Sequence, residues 1–309
     1  MKTPFLVAFS TLLLLQSCAP GKNLRQSMSY QPGYNMTYRY KTVTETSTEV
    51  MGEIQNQFST NQVDYKIEVV DHDKAGATNW LIDIVHMRYE SEEGQAEPFE
   101  YDSSDPNRDT SQMRVKMFDA MIGHRMFMTT TSNGDVTSCS GADEMIDKMI
   151  EPVKHLPGLE PMMATLKGSY GDSAMMESFR YIWTSIPIKP VRVGQKLQTK
   201  RKTGGMIAMD ATNTYTLKSW SPTEAVLKTT TKVKTLPNAQ MDMGFVKILY
   251  DMEGAGAGES VLSQPDGNVK AGRNTLEMKG VMHLSGSGIP KMDAPITTKA
   301  VVTIERIDN

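Results

Sequence analysis

Cysteine is nearly absent: the chain has 2 in 309 residues, Cys18 and Cys139. That excludes a disulfide framework and leaves the fold to rest on core packing. Histidine is sparse, and His72, His86, His124, His155 and His283 stand singly. No G-x-S-x-G elbow, H-E-x-x-H pair or P-loop occurs, so neither a hydrolase, a zincin nor an NTPase signature is legible. Basic clusters with interleaved aromatics are missing too; the one dense run, Lys200-Arg201-Lys202, reads as a solvated strand end rather than a nucleic-acid footprint. No catalytic residue, metal site or cofactor is assigned, and a non-enzymatic protein is expected.

What is present begins at the N-terminus. Lys2 supplies a positive start, Phe5 to Leu15 an apolar run too short for a permanent span, and Leu15-Gln16-Ser17-Cys18 closes it. A leucine three residues before a cysteine, with serine directly ahead of it, resembles the lipobox of bacterial lipoproteins, which implies a signal peptide over 1–17 and lipidation of Cys18. A diacylglyceryl and N-acyl cysteine meets the two-signal requirement for stable anchoring. Loss of Lys2 and no acid moves the formal charge from −3 to −4. Residues 18–33 are polar and aperiodic, a tether, and 34–309 form a single β-rich domain. Cys139 then has no partner and reads as a small buried hydrophobe rather than a reactive thiol.

Alternation marks strands at Met36 to Thr48, Val63 to Val70 and Asn79 to Tyr89, and again, beyond Pro190, from Arg192 to Ile307 with turn residues between. Between them, two alternating runs joined by Asn133-Gly134 read as a hairpin with Met126, Met128 and Thr130 on one face. A helix follows, with Ser140 as N-cap and Met145, Ile146, Met149 and Ile150 on one side. A further helix over Ser173 to Phe179, capped by Asp172, places Met176 and Phe179 together, and another is expected over Pro161 to Leu166. The helical insert spans 141–182, and Met113 to Ala120 reads as strand. The stretch from Glu90 to Gln112 reads as an acidic loop. Within it Asp105, Asn107 and Asp109 have EF-hand spacing, but Thr110 replaces the required glycine and Lys116 the closing glutamate, so a solvated loop is preferred.

Methionine is abundant, at 24 residues. Three readings stand: filler of an irregular core, the wall of a cavity for acyl chains, or, with His124 between Met121 and Met126, a Cu(I) site; the last lacks an M-x-x-M-x-x-M run. Gly254, Gly256 and Gly258 share one strand face, where something must approach closely, a helix or a bound acyl chain. Met126, Met128, Met145, Met149, Met176, Phe179 and the three glycines are therefore the ligand-cavity candidates.

Tyr101-Asp102-Ser103-Ser104-Asp105, the Asn-Gly hairpin, Ser140-Gly141-Ala142-Asp143, Ile186-Pro187 and Pro190-Val191-Arg192-Val193-Gly194 together resemble an uncharacterised family of bacterial envelope lipoproteins. That family is similar in layout to the half-barrel of lipoprotein-localisation carriers. The resemblance implies a mainly β, α+β fold: a curved antiparallel sheet or half-barrel wrapping one to three central helices over an apolar cavity. The expected function is a membrane-anchored envelope lipoprotein, outer-membrane and facing the periplasm, that binds lipid or another apolar ligand. The alternative is a structural or protein-interaction module at the envelope, acting through strand edges or the acidic loop.

Overall fold

Long alternating runs make long strands here. A computed structural model describes residues 23–24, 30–74, 76–94, 97–132, 135–154, 163, 166–168, 170–183, 191–203, 207–237, 239–242, 246–264, 267–286 and 289–307. The signal segment, Cys18, His155, the Asn133-Gly134 turn and most of the helix expected over 161–166 lie outside them. In chain order come β1 (Asn23–Leu24), β2 (Asn35–Val50), β3 (Glu53–His72), β4 (Thr78–Glu93), β5 (Phe99–Asp102), α1 (Met113–Asp119), β6 (Arg125–Thr130), β7 (Val136–Ser140), α2 (Ala142–Ile150) and α3 (Asp172–Trp183). Then follow β8 (Val191–Arg192), β9 (Lys196–Thr203), β10 (Met209–Trp220), β11 (Glu224–Thr235), β12 (Gln240–Asp242), β13 (Val246–Ser263), β14 (Val269–Gly286) and β15 (Ile289–Ile307).

One antiparallel sheet of 13 strands carries the fold, its main path running β7-β6-β4-β3-β2-β15-β14-β13-β11-β10-β9, with β5 added beside β4 and β12 beside β13. A separate pair joins β1 to β8. The sheet is open, with β7 and β9 as its edges. β15 returns to lie against β2 from Ile307↔Thr37 to Ile296↔Thr48, so the last strand joins the two halves of the sheet.

The sheet is bent. Tyr40 on β2 and Arg201 on β9 line the same cavity of about 330 Å³, although five strands separate theirs. Neighbouring strands sit about 4.8 Å apart, so a flat sheet would hold those two nearly 30 Å from one another. α3 contacts β7, and the edge strand β9 carries Lys196, Lys200, Arg201 and Lys202, the charge that discourages further pairing.

Two apolar clusters occupy the inner face. The larger joins Tyr38, Ile67, Trp80 and Ile82 to Leu217, Leu227 and Leu262 and takes in residues of α1, α2 and α3. The smaller, around Ala211, Val233, Met252, Met278 and Ile296, contains no helix.

The fold class expected from sequence holds as a mainly antiparallel sheet, open, with few short helices; the helices are small and not clearly central. α3 contacts β7 and lines the cavity that Tyr40 and Arg201 share, while α1 and α2 pack on each other, with Val115, Met145 and Met149 joined to the core residues of β3 and β4. Three local expectations are corrected. Met113 to Ala120 is helix: Met113, Val115 and Met117 alternate, but 113/117 and 115/118 fit a helix face equally well, and a run this short does not separate the two. Part of the acidic stretch is strand, because Glu90 and Glu92 continue β4, and Glu100 points away from the buried Phe99 and Tyr101 on β5. Ser140 does not cap α2. Gly141 holds the N-cap position at φ 98°, where an added Cβ would stand 2.7 Å from the Arg125 carbonyl oxygen. The cap comes instead from Asp172, whose Oδ1 accepts the Ala142 and Asp143 N–H groups at 2.8 and 3.3 Å. Asp143 returns the bond, accepting the Asp172 N–H at 3.2 Å. Two helix N-termini thus cap one another, each carboxylate sitting where the other helix's dipole favours it.

Candidate functional site

Where α1 and α2 rest on β3 and β4, their side chains do not close fully on the sheet, and a cavity of about 330 Å³ remains. Its helical wall is sulfur-rich: Met117 and Met121 from the α1 segment, Met145 and Met149 from α2, Met175 from α3. Its sheet wall is Val63, Tyr65, Ile84, Met87 and Tyr89. Helical spacing explains the first set, since 117/121 and 145/149 are each four residues apart. Strand alternation explains Val63 and Tyr65, with Asp64 turned to the other face, and a bulge at Val85 brings Ile84 onto the same face as Met87 and Tyr89.

An aromatic cluster stiffens one end. Phe118 stacks 5.9 Å from Phe99 and lies 5.1 and 5.2 Å from Tyr101 and Tyr89. Tyr101 donates its hydroxyl to Asp119 Oδ1 at 2.9 Å, and Arg108 Nε donates to the same oxygen at 2.8 Å, which fixes α1 against β5. Burial raises the Tyr101 phenol, and Asp119 raises it further; burial does the same to Tyr65, which meets Phe179 edge-on at 5.7 Å. These phenols stay neutral. No histidine or carboxylate lines the cavity among the described residues. Such a wall offers dispersion and soft, adaptable packing to hydrocarbon, and no acid–base pair.

The sequence-derived candidates separate. Met145 and Met149 line this cavity. Met126 and Met128 are fully buried behind it on β6, beside Ile82 and Trp80. Phe179 is buried against Tyr65, and Met176 packs on the rim of the main core. Gly256 belongs to the second cavity, the one between α3 and the bent sheet, whose wall includes Asn213, Thr231 and Asn274. There Thr231 donates to Asn213 Oδ1 at 2.7 Å. What stands nearest to the glycines is the adjacent strand β14. A Cβ at Gly254 would stand 2.2 Å from the Glu277 carbonyl oxygen, at Gly256 2.6 Å from that of Thr275, and at Gly258 2.5 Å from that of Arg273. Arg114, Met87 and Met117 were not among the candidates; the only advance sign was the four-residue spacing of Met113, Met117 and Met121.

The described histidines lie apart. His72 bonds Thr78 Oγ1 at 3.0 Å and the Tyr30 carbonyl at 2.5 Å, and His283 meets Asp293 at 2.7 Å. His86 stands between Asp64 and Asp102, at 3.5 and 3.0 Å. Hydrogen bonds from Ser104, assisted by His86, hold the Asp102 carboxyl down at about 2. His124 meets the Gly141 carbonyl at 2.7 Å and Lys148 Nζ at 3.5 Å, so both its nitrogens are engaged and a cation stands where Cu(I) would bind. In the acidic loop, Asp105 and Asp109 accept N–H groups of Asn107 and Ser111, spending their oxygens on Asx turns. Cys139, half-buried on β7, has its thiol pushed up to about 12 by burial and by Asp172.

Among the described residues no helix is long and apolar enough to cross a membrane. The chain is similar to lipovitellin, in a structure described by its lipid–protein interactions, at TM-score 0.48 and 9% identity over 91% of this chain and 26% of that one. The chain therefore spans about a quarter of lipovitellin's length. An outer membrane channel from Pseudomonas putida F1 matches at TM-score 0.27 and 7% identity, over 91% of this chain and 98% of the other. OccK7 of Pseudomonas aeruginosa matches at 0.24 and 3%, over 89% and 99%. At these values the likeness is one of extended antiparallel sheet alone. No curated protein matches the sequence. A family model does match, over residues 78–269, from β4 to the start of β14 and so including α1, α2 and α3 but not β2, β3 or β15, and the chain belongs to that family, the family of unknown function DUF6263.

Proposed function

We propose that this chain is a membrane-anchored bacterial envelope lipoprotein that binds an apolar ligand without chemistry, in the methionine- and aromatic-lined cavity between α1, α2 and the β3–β4 face. The observation that carries the reading is the wall itself: thioethers and rings around a space of about 330 Å³, at the low end of the range of small-molecule pockets, about 300–1,000 Å³. The lipobox-like Leu15-Gln16-Ser17-Cys18 supports the anchor and the envelope address, with the outer membrane and a periplasmic domain as its finer form. The interaction-module reading draws less support at the β9 edge, where Lys196, Lys200, Arg201 and Lys202 discourage pairing.

Native mass spectrometry of the full chain after mild extraction tests ligand retention, and titration with the neutral dye 1-N-phenylnaphthylamine tests the cavity. The expected result is co-purifying lipid, saturable dye binding, and loss of both in Met117→Trp, whose larger side chain fills the space. Absence of both lipid and dye binding in the wild-type chain would overturn the reading. For the anchor, Cys18→Ser is expected to abolish the acyl mass on the mature N-terminus.

A further inference from the structure

The cavity is lopsided along the strand axis. In the β3–β4 register Asn61 lies opposite Tyr89 and Val63 opposite Met87, so Asn61 and Tyr89 mark one end. Phe99 is at that end, 6.1 Å from Tyr89, and Arg114 Cζ stands 5.3 Å from the Phe99 ring centre. At the other end Ile84 bonds the α1–β6 turn, its carbonyl accepting the Gly123 N–H at 2.8 Å, which brings Met121 there. α2 begins over the same end, with Gly141 against Arg125 and Met126. One end of the space is therefore hydrocarbon and sulfur, and the other carries a guanidinium.

Arg114 is the single charged residue of this wall among the described residues, it is exposed, and it forms no ion pair with any of them. A cation held over an aromatic face beside an apolar space, with no carboxylate of its own, favours an anion from outside. A second feature points the same way. Asn61 Oδ1 is buried in the same end of the wall without a hydrogen-bond partner, an arrangement that folded proteins avoid unless something else completes it. The carboxamide, turned by half a rotation, offers its NH₂ to an anion at Arg114.

Resting on the apolar-cavity reading above, we propose that the ligand is a long-chain fatty acid, its carboxylate forked by Arg114 at the Asn61–Phe99 end and its chain running past Val63 and Met87 toward Met121 and Met145. The cavity volume, about 330 Å³, suits one acyl chain better than two, and a planar carboxylate matches the guanidinium fork.

The test is displacement of 1-N-phenylnaphthylamine from the full chain by palmitic acid, methyl palmitate and palmitoyl lysophosphatidic acid, on wild type, Arg114→Gln and Arg114→Lys. Palmitic acid is expected to displace the dye at a concentration about tenfold or more below that of its methyl ester, the scale of one charge-assisted hydrogen bond. Arg114→Gln should erase that difference while leaving the ester unchanged, and Arg114→Lys should keep part of it. Equal displacement by acid and ester in the wild type, or an unchanged preference in Arg114→Gln, overturns the fatty-acid inference and leaves the apolar cavity standing. A preference for the lysophosphatidate alone overturns the carboxylate assignment. If the wild type takes up neither dye nor any competitor, the cavity reading itself falls. Should Arg114→Gln fail to bind the dye, the wild-type acid-to-ester ratio and Arg114→Lys decide the matter.

Discussion

The inner face of the sheet is filled in two different ways. On the flank formed by β3, β4 and β6, large side chains and two helices occupy the concavity, and the gap left between them is the cavity. On the flank formed by β11, β13 and β14 a smaller apolar cluster is joined by glycines that bring strands together: Gly254, Gly256 and Gly258 let β14 close on β13, and Gly280 does so from the other side, where a Cβ would meet the Asp251 carbonyl at 2.0 Å. A bent sheet can be supported from within or drawn tight upon itself. Both leave a space of about 330 Å³, but only the first is walled by a cluster of methionines and aromatic rings.

That contrast can be broken from either side. Trp80 is fully buried, and its indole N–H donates to Thr130 Oγ1 at 2.8 Å; Trp80→Ala is expected to cost about 3–5 kcal/mol in urea unfolding. Because β15 joins both flanks, the loss should appear as one cooperative transition, and two separate transitions would show that the flanks are independent. Gly254→Val attacks the tight flank, where the obstacle is backbone rather than a movable side-chain tip, and about 2–3 kcal/mol is expected, the upper part of the overpacking range. Dye binding in the distant cavity should survive it. Asp172→Ala removes the shared caps of α2 and α3, with an expected loss of about 1–2 kcal/mol and weaker dye binding, since α2 forms a wall.

Cys139 sharpens the picture kinetically. A thiol raised to about 12 stays protonated at pH 8, so disulfide-exchange labelling of the native chain should run on the order of a thousandfold slower than that of the urea-unfolded chain. The sign for stability follows. The preference for the neutral thiol is fully present below its ordinary value near 9 and is lost as pH rises toward 12. The smallest effect is expected at the β2–β3 turn, where Met51 takes φ 53° before Gly52 at φ 82°. Two positive angles make a type I′ turn, which asparagine tolerates far better, so Met51→Asn should gain about 0.5–1 kcal/mol in melting experiments.

Much of this was legible in the residues, and what was not has physical reasons. Strands with one wet face announce themselves, as Met36-Thr-Tyr38 does on β2, whereas the first residues of β3, exposed on both faces, show no alternation and were missed. α2 was readable from Met145, Ile146, Met149 and Ile150, yet its cap lay 30 residues away, beyond any local pattern. Met128 and Met145 look alike in sequence. Which one faces the cavity depends on how β6 packs beside β4, a property of strand order rather than of spacing. The glycine triplet revealed close approach but not the approaching body, for the same reason.

The pairing of β15 with β2 has a consequence for how the protein is made. The strand that completes the middle of the sheet is synthesised after the fourteen other described strands, so a nascent chain carries two long unsatisfied backbone edges in water until β15 arrives. Such a topology favours folding of the sheet as a whole once β15 is made over closure piece by piece.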